Sequence, residues 1–241
     1  MDNLTTSSET CREELAPTAI VDADHPALRD FAEARAGDAK TAKEKAIRIY
    51  YAVRDEIRYD PYGAALSVET LRASATLASG QGWCVSKSVL LAAACRAVGI
   101  PARLGFADVR NHLSTARMRE HMETEVFYWH GYTSILMDPD DGWVKATPAF
   151  NIELCEKFGF LPLEFDGEND SLYHPFDVEG RKHMEYVNDR GEFNDVPLDD
   201  LIATFAEKYP SMSFSSQDEA SQFGADASFD QDVDAETASN Q

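Results

Sequence analysis

Apolar residues recur at helical spacing in several stretches of the chain. In the clearest of them, Ala46, Ile49, Tyr50, Val53 and Ile57 fall three and four residues apart, with Lys, Glu and Arg between them. This spacing predicts an amphipathic helix over 41–57 that lies with one face on a core. Related patterns and capping residues predict shorter helices over 25–37, 68–73, 151–158 and 197–209.

A second stretch, residues 81–101, is apolar without a break from Val89 to Ala94. It opens with a loop of small residues and ends at Gly99, with Pro101 just beyond, which is the usual stop signal of an α-helix. Because no polar face interrupts the run, we expect this helix to be buried on nearly all sides.

Strands are predicted on the C-terminal side of this helix. Residues 102–109 alternate between apolar and polar, and residues 124–137 are rich in aromatic and β-branched side chains. The acidic segment 138–142 has the composition of a turn and leads into a strand over 143–147. A further strand is predicted near 184–187. Residues 111–121 are polar without a period, and they are expected to be irregular.

The two ends of the chain carry no periodic pattern. Residues 1–20 are expected to form a flexible N-terminal arm, and residues 21–210 a folded domain. From Ser211 to Gln241 the chain contains acidic, Ser, Gln and Ala residues but no Lys or Arg. This composition predicts a disordered acidic tail.

Composition restricts the partners. With 43 acidic and 22 basic residues, the net charge is −21, and like charge repels nucleic acid and anionic membrane surfaces. No segment is long and apolar enough to span a bilayer, and no secretory leader is recognised. Together with the cysteine pattern described below, these features predict a soluble, reduced, cytoplasmic protein.

The four cysteines (Cys11, Cys84, Cys95 and Cys155) show neither C-x-x-C nor paired spacing, so no metal site, cofactor or disulfide framework is predicted. Cys84 lies where the loop becomes the buried helix, and there the unpaired N–H groups and the helix dipole favour a thiolate. It is therefore either a nucleophile or a small buried apolar residue. Cys95 and Cys155 are assigned to the core.

A thiol nucleophile needs a base within hydrogen-bonding distance. Of the six histidines, His130 lies inside the most strand-like, aromatic stretch of the chain, Val126-Phe-Tyr-Trp-His-Gly-Tyr132. A half-buried strand holds an imidazole ring at a fixed angle, which makes His130 the best candidate for the base. The alternative is a core histidine that is hydrogen-bonded to the backbone.

The order of these parts resembles the transglutaminase-like superfamily. The resemblance rests on Gly-Trp-Cys84 at the head of a helix that ends Ala-Val-Gly-Ile-Pro-Ala-Arg103, on the strand with His130, and on Trp143-Val-Lys-Ala-Thr-Pro148. It implies an α+β, papain-like fold in which the helix that carries the cysteine packs on an antiparallel sheet that carries the histidine. It also implies that Cys84 is the nucleophile and His130 the base.

The third member of the family's Cys-His-Asp triad differs in this chain. The position of the aspartate is Thr147, a neutral hydroxyl. Asn151 is a second candidate to orient His130, although it also has the features of a helix N-cap. If the triad works, we expect Thr147 to orient the ring of His130 without stabilising its charged form as a carboxylate does.

The resemblance also implies a reaction. Cys84 attacks an amide or ester carbonyl of a peptide or protein substrate and forms a thioester, with hydrolysis favoured over protein crosslinking. The backbone N–H of Cys84 and the side chain of Gln81 hold the oxyanion. Four aromatic residues are expected to line the acyl cleft: Trp83, Trp129, Tyr132 and Trp143. For each of them taken separately, packing in the core is the alternative and the better-supported interpretation. Because Thr147 departs from the family pattern, the alternative is a non-catalytic peptide- or protein-binding module on the same fold.

Overall fold

The computed structural model describes residues 11–111, 114–172, 184–214, 223–224 and 227–238. The helices are α1 Pro26–Ala36, α2 Ala42–Glu56, α3 Val68–Leu71, α4 Ala73–Ser79, α5 Cys84–Ala97, α6 Ala116–Met122, α7 Ile152–Phe158, α8 Leu198–Lys208 and α9 Phe229–Ala238. The strands are β1 Arg58–Tyr59, β2 Gln81–Gly82, β3 Ala102–Asn111, β4 Val126–Asp138, β5 Gly142–Ala146 and β6 Met184–Phe193.

Helix α5 is the centre of the core, as its unbroken apolar run predicts. Residues 84–96 of this helix are all buried, and the helix packs against α1, α2, α4, β3 and β4. At its start, Ser86 Oγ accepts a 3.0 Å hydrogen bond from the backbone N–H of Trp83. At its end, the N–H of Gly99 donates to the carbonyl of Arg96. Gly99 has φ of +81°, in the left-handed region that favours glycine.

A buried lysine joins α5 to α2. Lys87 is fully buried, and its Nζ donates to the carbonyls of Arg54 at 2.9 Å and Ile57 at 2.5 Å. These carbonyls lie at the C-terminal end of α2, where a helix leaves acceptors unpaired and its dipole favours a cation. Burial nevertheless lowers the pKa of Lys87 to about 7.

The main sheet contains four antiparallel strands in the order β5-β4-β3-β6. One face of β3 and β4 packs against α5, and the short parallel pair β1 and β2 lies next to the start of that helix. The predicted α+β fold, with a buried cysteine-bearing helix on an antiparallel sheet, is confirmed.

Part of the segment expected to be irregular is helical. Residues 116–122 form α6, whose N-cap Thr115 accepts a hydrogen bond from the N–H of Met118. Met118 and Met122, four residues apart, are buried. This single apolar pair was too short a pattern to outweigh the Arg, Glu and His residues around it.

The prediction of a flexible arm is wrong for residues 11–20, since this part of the arm is docked. Glu14 is buried and accepts a 2.7 Å ion pair from Arg103, while its carbonyl accepts the N–H of Ala102. Ile20 is also buried, and its carbonyl accepts the N–H of Ala73. The rest of the arm, residues 1–10, lies outside the described residues.

The prediction of a disordered tail is wrong for residues 229–238, which form α9. Phe229 and Val233 of this helix and Phe223 before it are all buried. Composition alone suggested disorder because the acidic residues had no partners nearby in the sequence. Their partners are basic residues that lie more than seventy positions earlier in the chain.

Candidate functional site

Cys84 is the first residue of α5, but its side chain is not open to solvent. Only 5% of the residue is exposed, and it lines a cavity of about 50 Å³ together with Tyr59, Trp83 and Phe127. Other walls of this cavity come from α6 and from the C-terminal region: Met118, Met122, Phe205, Tyr209, Met212, Phe214 and Phe223. The C-terminal region therefore covers the thiol with apolar side chains.

Burial controls the protonation state of Cys84. It raises the pKa of the thiol to about 11, although the backbone N–H groups of Gly131, Val85 and Cys84 itself act in the opposite direction. The predicted effect of the helix terminus is thus present, but burial outweighs it and the net pKa is raised. The thiolate loses more solvation in the apolar cavity than the nearby N–H groups restore.

The residue of β4 that faces Cys84 is Gly131. A Cβ atom at this position would lie 3.2 Å from the carbonyl oxygen of Cys84 and 3.0 Å from the Cα of Val85. On the same face of β4, the hydroxyl of Thr133 donates to the carbonyl of Ser88 at 2.9 Å. The strand and the start of α5 thus approach closely at a residue that has no side chain.

His130 points to the opposite face of the sheet, because successive side chains of a strand alternate. It pairs with Ala107 and shares its face with Tyr132 and Lys145, with which it lines a separate cavity of about 20 Å³. No hydrogen bond joins His130 to Cys84. Its Nε2 is buried and has no partner among the described residues. Burial lowers the pKa of His130 to about 4.

A bulge precedes His130 in β4. The register shifts between Val109, which pairs with Phe127, and Ala107, which pairs with His130. In this bulge Trp129 has φ of +59°, which is rare for a residue with a side chain. Asp108 stabilises it by accepting the N–H of Trp129 at 3.1 Å and an ion pair from Arg190 at 2.6 Å.

Neither residue proposed to orient His130 is hydrogen-bonded to it. The hydroxyl of Thr147 donates to the carbonyl of Leu172 at 2.5 Å, and its N–H donates to the carbonyl of Ser171. Asn151 lies at the N-cap position of α7, but its side chain makes no capping bond and instead accepts the N–H of Tyr59 at 3.1 Å. The structure therefore does not bring the three predicted triad residues together.

The predicted cleft residues are divided between the two faces of the sheet. Trp83 lines the cavity of Cys84, and Gln81 lies in the neighbouring strand β2, where its Oε1 accepts a hydrogen bond from Arg58. Trp129 packs against Phe106, with ring centroids 5.4 Å apart. Tyr132 and Trp143 lie on the face away from α5, under Lys145 and Arg103 respectively.

An open groove begins on the other side of Trp83. It has a volume of about 340 Å³. Its walls combine two carboxylates and several hydroxyls with apolar surface: Asp60, Gly63, Ala65, Glu69, Thr70, Ala75, Thr76, Ser79, Gln81, Gly82, Trp83 and Ser86. The groove gives a ligand access to the loop before α5, whereas Cys84 itself is buried.

The sequence reasoning did not identify Gly131, Asp108 or the C-terminal aromatic residues as parts of this region. The glycine next to His130 was a usable signal, because a Gly inside a strand often marks a close approach of two backbones. In the described ranges, no three His, Cys, Asp or Glu side chains converge as metal ligands do. Likewise, no helix there is long and apolar enough to cross a membrane.

Comparison with known families places this geometry in context. The model of the transglutaminase-like superfamily matches residues 29–148. This match spans α1 to the end of β5 and includes both Cys84 and His130. Residues 29–148 are therefore a transglutaminase-like domain. The superfamily to which it belongs contains enzymes with a cysteine nucleophile.

The chain is also similar to a solved structure, that of a "putative cysteine protease" from Cytophaga hutchinsonii. The identity is 16%, the TM-score is 0.46, and the similarity covers 74% of this chain and 51% of that chain. The present chain thus spans about half the length of that protein. A comparison with curated proteins gives no match.

Proposed function

We propose that this chain is a non-catalytic, peptide- or protein-binding module built on a transglutaminase-like domain. The observation that carries the proposal is the side-chain direction along β4. A glycine, Gly131, faces Cys84, and His130 faces away from it. A base must reach the thiol to activate it, and a rotation of the His130 side chain does not move the ring through a strand.

The state of the thiol supports the same conclusion. Cys84 is buried under apolar side chains and its pKa is raised to about 11. Thr147 uses its hydroxyl to hold the carbonyl of Leu172. The groove beside Trp83 supplies the binding surface in this proposal, because its volume of about 340 Å³ accommodates a peptide and its carboxylates, Asp60 and Glu69, can accept hydrogen bonds from N–H groups.

The competing function is cysteine-dependent hydrolysis or acyl transfer at a peptide amide, through a thioester on Cys84. The observation in its favour is that backbone N–H groups of Cys84, Val85 and Gly131 are directed at the sulfur and favour its charged form. Such groups also stabilise an oxyanion. This function requires that the cover be displaced and that β4 rearrange around Gly131.

Acylation of the intact protein distinguishes the two functions. The full chain is incubated with p-nitrophenyl acetate, and peptide mass spectrometry compares acetylation of Cys84 with that of the partly exposed Cys11. We expect Cys84 to react more slowly than Cys11, with no change in His130→Ala. Faster reaction at Cys84 that is lost in His130→Ala would support the enzyme and contradict the proposal.

Binding in the groove is tested by a blocking substitution. Peptides selected from a randomised library on the immobilised chain are titrated against Ala75→Arg, which introduces a long side chain into the groove. The matched control is Ala78→Arg, on the exposed side of the same helix, α4. We expect only Ala75→Arg to abolish binding. Equal affinity for both variants would exclude this groove as the binding surface.

A further inference from the structure

Basic side chains are scarce in this protein, yet four of them meet one element. The chain has 22 Lys and Arg residues against 43 Asp and Glu residues. All four acidic residues of α9 pair with a cation from a different part of the domain. These pairs are Arg58–Asp230, Arg117–Asp232 at 2.7 Å, Lys157–Asp234 at 2.7 Å and Arg119–Glu236 at 3.8 Å.

An aromatic anchor accompanies these ion pairs. The ring of Phe229 lies edge-on to Tyr59 and Tyr62, with centroids 5.8 and 5.4 Å away. Val233, one turn later, is fully buried. The hydroxyl of Tyr62 donates to Asp232 at 2.6 Å. Beneath α9 the domain thus offers an apolar pocket with a ring of cations around it, which we call the α9 surface (Arg58, Tyr59, Tyr62, Arg117, Arg119 and Lys157).

The ion pairs that attach α9 lie near the solvent-exposed surface. Its cationic partners are partly exposed, with 41 to 48% of each side chain accessible. Exposed ion pairs contribute little stability each and are screened by salt. A helix of 10 residues is also marginal in isolation. Without α9, this surface would be an exposed aromatic pocket with concentrated positive charge.

We propose that the α9 surface is a docking site for an acidic helical segment of a partner protein, and that α9 occupies this site in the free chain. The ligand has the chemistry that α9 displays: an aromatic residue in the first turn, an apolar residue one turn later, and carboxylates directed at the four cations. Electrostatic complementarity selects such a segment, because the remainder of the protein surface repels acidic partners. This proposal does not depend on whether Cys84 is catalytic.

The test uses the full chain and a fluorescent peptide of residues 223–241 added in trans. In a triple variant, Asp230→Lys, Asp232→Lys and Asp234→Lys weaken the attached helix, and a melting curve verifies that the domain folds. Because the attached helix competes with the peptide, we expect the triple variant to bind the peptide roughly tenfold or more tightly than wild type. The affinity should fall steeply as NaCl rises.

Control variants test the recognition itself. In the triple-variant background, Arg117→Glu is expected to abolish peptide binding. Arg48→Glu reverses an exposed cation that pairs with Asp38 elsewhere, and it should leave binding unchanged. A peptide with Phe229→Ala should bind poorly.

The proposal is overturned if a charge-reversed peptide binds equally well, or if the folded triple variant fails to bind the native peptide. A wild-type dimer that dissociates in Arg117→Glu would also overturn it, because the occupant would then be a second copy of the chain.

Discussion

At the scale of single residues, two effects compete at Cys84: the N–H groups of the helix start and burial of the thiol. The N–H groups around the sulfur favour the thiolate, but complete burial disfavours it more strongly, and the pKa rises to about 11. At pH 7 only about one molecule in ten thousand then carries the thiolate.

We therefore predict that alkylation of Cys84 by iodoacetamide accelerates with pH up to a midpoint near 11. The rate is measured by peptide mapping across alkaline pH, with Cys84→Ser to verify the labelled peptide. Because His130 lies on the other face of β4, His130→Ala should give the same profile. A midpoint below the free-thiol value of about 8.5, displaced upward in His130→Ala, would contradict this arrangement.

Gly131 allows β4 to approach the start of α5. A Cβ atom there meets the Cα of Val85 at 3.0 Å, and backbone atoms on both sides leave little freedom to relax. We predict that Gly131→Ala destabilises the domain by about 1–3 kcal/mol in urea unfolding. Gly63→Ala is the matched control, since no atom lies within 4 Å of the added Cβ atom. Equal loss of stability in both variants would contradict the close approach.

His130 makes the fold sensitive to acid. Burial lowers its pKa from 6.5 to about 4, so between these values the unfolded chain binds a proton that the folded chain does not. Above pH 6.5 His130 is neutral in both states and does not change the free energy of unfolding. As the pH falls toward 4, protonation of the unfolded chain lowers that free energy. The loss reaches about 3 kcal/mol at most.

The prediction is tested with His130→Asn, which does not titrate. Unfolding free energies of wild type and variant are compared at pH 7, 5.5 and 4.5 under one set of salt conditions. The gap between the two proteins should shift in favour of His130→Asn as the pH falls. A gap that is constant with pH would mean that His130 is solvated in the folded protein.

At the scale of secondary-structure elements, α9 is part of the folded domain through Phe229. We predict that Phe229→Ala lowers the melting temperature and releases α9. Truncation of a fully buried phenylalanine to alanine typically costs about 3–5 kcal/mol of unfolding free energy. Here the loss cannot exceed the free energy that holds α9 in place, because the helix can detach locally while the rest of the domain stays folded.

Ile202→Ala provides the comparison for this prediction. Ile202 is a large apolar residue of α8 with 43% exposure, so its truncation should change the melting temperature little. Hydrogen exchange of the α9 amides reports detachment directly, and should become fast only in Phe229→Ala. Slow exchange of the α9 amides in both variants would mean that other contacts hold the helix in place without Phe229.

Elements with strong local patterns could be predicted from the sequence, and contacts between distant elements could not. The apolar run of Val89 to Ala94 was sufficient for α5, and the aromatic and β-branched run after Thr124 for β4. The face of β4 that His130 takes depends on pairing with β3 and on the bulge at Trp129. The residues before and after the bulge alternate in a way that fits either face, so the local pattern did not decide the direction of the ring.

The contacts of the C-terminal helix and of Thr147 could not be predicted from local sequence either. The cations that pair with α9 come from β1, α6 and α7, and composition does not reveal such partners. Thr147 was predicted to orient His130, but its hydroxyl donates instead to the carbonyl of Leu172, which lies in a loop 25 residues later. Long-range pairing, rather than local propensity, decided each of these cases.

At the scale of the whole molecule, net charge opposes folding. The chain carries −21, and a compact state brings like charges closer together than the unfolded chain does. At about 0.1 M salt, such repulsion is screened beyond about 10 Å. Self-repulsion therefore destabilises the folded state at low ionic strength. Local ion pairs such as those of α9 stabilise the folded state, and added salt weakens them. Their response to salt is therefore opposite to that of the net repulsion.

We predict that repulsion dominates, because acidic residues outnumber basic ones by 43 to 22. Raising NaCl from low to moderate concentration should increase the melting temperature by a few degrees, as calorimetry measures it. A variant with Glu33→Gln, Glu120→Gln and Glu156→Gln, three exposed acids, has a net charge of −21 + 3 = −18. It should melt higher than wild type at low salt and respond less to added NaCl. If the melting temperature of wild type instead falls with salt, paired charges outweigh net repulsion, and the ion pairs of α9 stabilise the fold more than their exposure implies.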